Sequence, residues 1–279
     1  MKKALFCILL AAVALTACNG KGKGADSILA VDTLTDNVDT LQMEKRTAAK
    51  YYKLETGEEM FGTVVDCRSY DIMWPTGDHP ILQQALLNIL FGNETTDFDK
   101  AAQKFLKSTD LYGLTDDKPI EITDGSNNNV NNFCHKEMEC LTSAPMYVFL
   151  ISEATYGFGA AHPLSNLQYV NYDIREDRIV TLTDLMDTTH LADAVRKAAA
   201  TLPENADILD CLFDIKNVYA SDNVCIDLEN AQLVMQYNIY EIGPYACGTI
   251  NIRLPIAWLA HHVRLTDYCK QLFDLPQAV

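Results

Sequence analysis

Residues 144–174 read APMYVFLISEATYGFGAAHPLSNLQYVNYDI, and the fold class turns on them. Ala144 to Thr155 and Leu164 to Ile174 are rich in β-branched and aromatic residues, and the glycines and Pro163 between them mark a connection. With Lys136 to Thr142 in front, the three runs predict an antiparallel meander. Working outward, Gly62 to Tyr70 and Asp71 to Pro75 predict one or two strands upstream. Val218 to Ala220, Val224 to Leu228, Gln232 to Tyr240 and Thr249 to Leu254 predict four downstream. Helices are interspersed. Ile81, Leu82, Ala85, Leu86, Ile89 and Leu90 recur at helical spacing and stop at Gly92-Asn93, and Asp97 to Leu106 is a weaker candidate. After an entry turn at Thr183 to Asp187, Leu191, Ala194, Val195 and Ala198 share a helical face. Pro255 opens a short helix reaching about His261. Strands with helices inserted, without strict βαβ alternation, predict an α+β fold on a mainly antiparallel sheet, built as one unit or as two closely packed halves.

The N-terminus carries a different signal. Lys2 and Lys3 precede an apolar run from Ala4 to Ala14, which ends in Leu15-Thr16-Ala17-Cys18. That is the layout of a signal peptide, and the run falls short of the roughly 20 apolar residues that span a bilayer core. Small residues directly before a cysteine resemble the lipobox of bacterial lipoproteins. Cys18 is therefore the expected lipidation site and first mature residue, and the protein is expected outside the cytoplasm, anchored to the bacterial outer or cytoplasmic membrane. Residues 1–17 are then the signal peptide and 18–48, opening Cys-Asn-Gly-Lys-Gly-Lys-Gly, a flexible tether. The folded part divides into an N-terminal half, 49–134, and a C-terminal domain, 135–279.

Loss of Lys2 and Lys3 with the signal takes the formal net charge from −16 to −18. Nucleic-acid binding depends on neutralising phosphates with Lys and Arg, so no nucleic acid is expected as partner. A cationic partner is compatible with the charge, and so is a role in solubility alone. Seven cysteines remain after Cys7 and Cys18. They lack the density of a small disulfide scaffold, and most are expected to be buried thiols. Cys134-His135 with Cys140 lacks a second pair for zinc, and DGSNNNVNN at 124–132 lacks the glutamate of a calcium loop. No metal and no cofactor is called for.

No GxSxG, HExxH, GxxxxGK[ST] or HxxxH occurs. Gly157-Phe158-Gly159-Ala160-Ala161-His162 misses GxGxxG at its last position and lies between strands, so it reads as a β-connection in which both glycines can take positive φ. His162 has no nucleophile or second histidine at a recognised spacing. Its expected role is structural, bonded to loop carbonyls or to a carboxylate such as Glu241, with a ligand-binding role as the alternative. Tyr240, Glu241 and Tyr245 either line a groove or cap the sheet, and capping is favoured, while Tyr156, Gly157 and Gly159 join them as a candidate ligand-binding or structural motif. No catalytic residue is assigned.

Tyr156 to Pro163, then Val170-Asn171-Tyr172-Asp173-Ile174, then Val180-Thr181-Leu182-Thr183-Asp184-Leu185, and finally Tyr240-Glu241-Ile242-Gly243-Pro244-Tyr245-Ala246-Cys247-Gly248 follow one another in the order seen in the RsiV-like extracytoplasmic domain, a domain of unknown function. The chain resembles that domain over residues 135–262, and residues 50–132 resemble more weakly the PdaC-type domain that precedes it. Phe158 and Pro163 depart from glycines in the pattern. Relatives include the sensor portion of a lysozyme-responsive anti-sigma factor and the non-catalytic part of a peptidoglycan deacetylase. The resemblance implies a non-enzymatic envelope lipoprotein that binds or senses a lysozyme-like cationic protein or peptidoglycan. The competing expectation is a cell-wall or glycan hydrolase with an unrecognised carboxylate pair.

Overall fold

A computed structural model of the chain describes residues 40–55, 62–92, 95–109, 118–123 and 129–276. The expected signal peptide, Cys18 and the expected tether as far as residue 39 lie outside them, as does 124–128 of the Asn-rich loop. The elements run β1 (Gln42–Glu55), β2 (Thr63–Thr76), α1 (Pro80–Phe91), α2 (Phe98–Lys107), β3 (Ile120–Ile122), β4 (Asn132–Cys140), β5 (Met146–Tyr156), β6 (Leu164–Asp173) and β7 (Arg178–Ile179). They continue with α3 (Leu182–Leu185), α4 (Leu191–Thr201), β8 (Val224–Asp227), β9 (Gln232–Tyr237), β10 (Ile250–Pro255), α5 (Ile256–Leu259) and α6 (Asp267–Leu272). The fold is α+β. Strands β3-β1-β2-β4-β5-β6-β7 form a seven-stranded sheet, and β10-β9-β8 a three-stranded one.

The expected meander is β4-β5-β6, antiparallel throughout. The large sheet has one parallel step, β2 to β4. A parallel pair needs a long crossover, and α1 and α2 lie in it. Pro80 begins α1, where a missing amide costs nothing, and Gly92 at φ 86° ends it. Asp97 caps α2 by accepting from the Lys100 amide at 3.2 Å.

Alternation along β5 explains why Met146 to Phe149 is an unbroken apolar run. Tyr147, Phe149 and Ile151 face a core shared with Leu82, Leu86 and Leu90 of α1 and Phe98 of α2. Met146 and Val148 face a second core with α3, α4, the small sheet and α5. A strand buried on both faces has no polar side to show.

Side-chain amides join the two sheets. Asn171, buried in β6, donates to the Val224 carbonyl at 2.7 Å and accepts from the Ile226 amide at 3.0 Å, so it serves β8 as a neighbouring strand would. Beyond the short β7, the open edge of β6 is closed in the same way. Asn223 accepts from the Tyr169 amide at 2.9 Å, and Asn238 from the Leu167 amide at 2.7 Å.

Several expectations change. The strand β1 takes in residues 42–48, expected in the tether. The boundary expected at 134/135 falls inside β4, in mid-sheet. Val218 to Ala220 is not a strand, because side chains take its carbonyls: Arg196 donates to that of Val218 at 2.7 Å and the Tyr237 hydroxyl to that of Tyr219. The strand β9 ends at Tyr237, three residues early, as Glu241 turns back to bond the Asn238 carbonyl and Tyr240 takes φ 71°. Cys211 and Cys247 form a disulfide, while Cys67, Cys134, Cys140, Cys225 and Cys269 carry thiols that are not disulfide-bonded.

Candidate functional site

Two connections meet at one end of the molecule: residues 157–163, between β5 and β6, and residues 238–249, between β9 and β10. Gly159 sits at φ 82°, which a β-carbon disfavours, but Gly157 does not share that requirement. Gly157 does not lie at positive φ, so the expected positive φ at both glycines holds at one, and a β-carbon built on Gly157 meets nothing within 4 Å. Phe158 packs on Tyr52, Leu54 and Val64, and its amide donates to Asn132 Oδ1 at 2.8 Å. The departure from glycine at 158 thus anchors the connection to the β1-β2 hairpin.

His162 is brought to Tyr240 and Tyr245. Its Nε2 lies 3.1 Å from the Tyr240 hydroxyl, and its ring stacks on that of Tyr245 at 3.7 Å between centroids. The Pro163 carbonyl accepts from the Tyr245 hydroxyl at 3.0 Å and lies 3.3 Å from His162 Nδ1. A carbonyl bond was expected. The carboxylate bond to Glu241 is not made, since Glu241 turns to Tyr219, whose hydroxyl donates to it at 3.0 Å. Tyr156 stays out of the cluster, bonding the Ala160 carbonyl of its own loop at 3.0 Å and stacking on Phe133.

Covalent and steric ties hold the second connection. The Cys211–Cys247 disulfide fastens it to the segment after α4, and the Phe213 amide donates to the Ile242 carbonyl at 2.9 Å. A β-carbon on Gly243 would lie 2.3 Å from the Cys211 carbonyl oxygen, so glycine is required there by close approach. On this base stands Tyr240, 51% exposed at positive φ, with the exposed rings of Tyr219 and Phe213 on the tied segments. Cys247, Tyr219 and Phe213 were not singled out in the sequence. The only cue was Cys247 inside the YEIGPYACG motif, which could not name its partner.

The chemistry of the surroundings is quiet. Burial lifts the Cys225 and Cys269 thiols to about 11 and about 12, far from nucleophilic range. At Asp173, burial acts upward, but hydrogen bonds from Arg175 and Tyr268 outweigh it and hold the carboxyl below its ordinary value. Asp184, Asp187, Asp227 and Glu55 are held down too. Among the described residues no three His, Cys, Asp or Glu side chains gather as a metal site. Ser69 Oγ lies 2.9 Å from His135 Nδ1 across the parallel strands. No carboxylate orients that histidine among the described residues, so the pair lacks the third member of a triad.

No protein-family model matches the sequence, and no curated protein matches it. Solved structures do resemble the fold. A crystal structure of a DUF3298 family member from Bacteroides fragilis superimposes with a TM-score of 0.63 at 16% identity, covering 85% of this chain and 98% of that one. A DUF3298 family protein from Pseudomonas aeruginosa superimposes with a TM-score of 0.53 at 16% identity, covering 86% and 99%. The likeness is one of fold.

Proposed function

We propose that this is a lipid-anchored envelope protein of the RsiV-like kind, preceded by a PdaC-type half, which binds a ligand and performs no chemistry on it. Its contact surface is the His162–Tyr240–Tyr245 cluster. The observation that carries this reading is Tyr240, a bulky residue held in the left-handed region at φ 71° with half its surface in solvent. Such a conformation costs about 1–3 kcal/mol and clusters at binding sites. The disulfide and the close fit at Gly243 keep it in place. Rigid, exposed aromatic rings are the usual anchors of protein interfaces.

A lysozyme-like cationic protein is the favoured partner, because the chain's net charge of −16 steers cations toward it. Peptidoglycan is the alternative ligand. The hydrolase reading has one observation in its favour: Glu153 and Glu241 line the same cleft of about 410 Å³. Lys136 forms an ion pair with the first and the Tyr219 hydroxyl donates to the second, so each carboxylate is already engaged by a neighbour of its own.

The test is calorimetric titration of the protein with a lysozyme, beside an unrelated protein of equal positive charge. Tyr240→Ala and Tyr245→Ala should each weaken lysozyme binding at least tenfold and leave the control unchanged. Equal affinity for both proteins, indifferent to either substitution, would sink the reading.

A further inference from the structure

The Cys211–Cys247 bond joins an anchored element to the turn that carries one ring of the aromatic cluster. On one side, Cys211 ends the 3₁₀ helix Pro203–Cys211. Its buried Asn205 is fixed to the edge of β10, accepting from the Arg253 amide at 2.9 Å and donating to the Arg253 carbonyl at 2.9 Å. On the other side, Cys247 ends the single 3₁₀ turn Tyr245–Cys247. There the Cys247 amide donates to the Pro244 carbonyl at 3.0 Å and the Gly248 amide to that of Tyr245 at 2.9 Å, so Tyr245 and Cys247 move as one.

Both cysteines are half-buried, and Asp210, Pro244 and Ala246 near them in the chain are exposed, so the bond lies at the surface. The remaining thiols are poor competitors for it. Cys67, Cys140, Cys225 and Cys269 are not disulfide-bonded, and burial pushes each of them up, which suppresses the thiolate that disulfide exchange requires. An outside dithiol therefore meets one reducible bond among the described residues. The other ties at the base of the Tyr240 connection, the Phe213–Ile242 hydrogen bond and the close fit at Gly243, are noncovalent. They work against Tyr240 at φ 71°, a conformation that persists only while its surroundings over-determine it.

We propose that the Cys211–Cys247 pair is a redox switch on the aromatic surface, an inference that rests on the reading of that surface as the partner-binding site. The thiolate of a dithiol reductant attacks one sulfur and forms a mixed disulfide, and the reductant's second thiol then displaces the cysteine. Two electrons and the two dithiol protons end on Cys211 and Cys247 as thiols, and the reductant leaves as its own disulfide. The turn carrying Tyr245 is then held by hydrogen bonds alone. Its stack on His162, 3.7 Å between centroids in the oxidised form, loosens, and Tyr240 relaxes from positive φ. The rings no longer stand in a fixed array, and the partner loses its anchor. A disulfide-bearing oxidant runs the exchange backwards and restores the surface.

The test treats the full-length protein in detergent with dithiothreitol and removes the reductant by gel filtration, so that it never meets the lysozyme used as probe. Reduction of the native protein should lower lysozyme affinity at least tenfold, and reoxidation with glutathione disulfide should restore it. Cys211→Ser with Cys247→Ser should bind like the reduced protein and ignore dithiothreitol. Hydrogen exchange supplies a readout that needs no partner. The Phe213, Cys247 and Gly248 amides should exchange at least tenfold faster after reduction, while the Ile226 amide, bonded to Asn171 at the joint between the sheets, should keep its rate. If the oxidised protein binds no lysozyme but these amides still respond, the partner reading falls and the redox-controlled turn stands. Reduction that succeeds only in denaturant, exchange that does not change, or a lysozyme affinity that reduction leaves intact would each overturn the proposal.

Discussion

Gly157 and Gly159 are two residues apart, and only the second is at positive φ. Gly159→Val should therefore cost more than about 1 kcal/mol, while Gly157→Val, which meets open space, should stay within about 0.5 kcal/mol. Thermal melting of the two variants checks the difference. Tyr240 invites the opposite experiment, because glycine at φ 71° is unstrained. Tyr240→Gly should melt no lower than the parent yet lose partner binding. A clear drop in melting would instead make Tyr240 a structural cap, the role first expected of it. The sequence brought His162, Tyr240 and Tyr245 into view through their motifs, but the contacts of His162 with the two tyrosines span 78 and 83 positions, and no local pattern encodes that. Glu241 shows the limit from the other side. It stands next to Tyr240 in the chain, but the turn at Tyr240 sends its carboxylate to Tyr219.

At the scale of elements, asparagine side chains serve as missing strands. Asn171→Ala would leave the Val224 carbonyl and Ile226 amide without their partner inside the joint between the sheets, at a cost of about 2 kcal/mol or more in denaturant unfolding. Two positions along, Asp173 binds Arg175 and accepts from Tyr268 of α6 at 2.8 Å. Its pKa is depressed in the folded state, so its stabilisation is full above the unfolded carboxyl pKa of about 4 and is lost as pH falls through the folded value. Melting should fall on the acid side of about pH 4, and Asp173→Asn should flatten that limb while lowering melting at neutral pH; an unchanged limb would take Asp173 out of the account. The helices α1, α2 and α4 were legible from their helical spacing and the β4-β5-β6 meander from its β-branched and aromatic runs, whereas α6 left no such mark. The strand β1 was not, because QMEKRTAAKYYKLE shows no apolar alternation and is mostly exposed or half-buried, taking its order from the hairpin with β2. The parallel β2-β4 step was invisible for a related reason: its partners are separated by both helices.

On the scale of the whole molecule, one covalent tie and one field of charge govern what the protein presents. The Cys211–Cys247 link closes a loop of 36 residues around β8 and β9, and its replacement by alanines should cost about 2–4 kcal/mol. The same change frees the base of the Tyr240 connection, so partner affinity should fall further than stability alone explains. A net charge of −16 raises encounter rates with cations, and salt near 0.15 M screens exposed charges beyond about 8 Å. If the aromatic cluster supplies the specific contact, raising salt from 0.05 to 0.3 M should slow association with a lysozyme by about tenfold or more while dissociation changes little, because steering acts on encounter and the rings act on residence. Stopped-flow association at several salt concentrations, repeated with Tyr240→Ala, separates the two: the substitution should speed dissociation and leave the salt slope intact. A slope that vanishes with Tyr240, or a dissociation rate that follows salt as steeply as association does, would mean that charge alone makes the complex and that the strained tyrosine serves some other end.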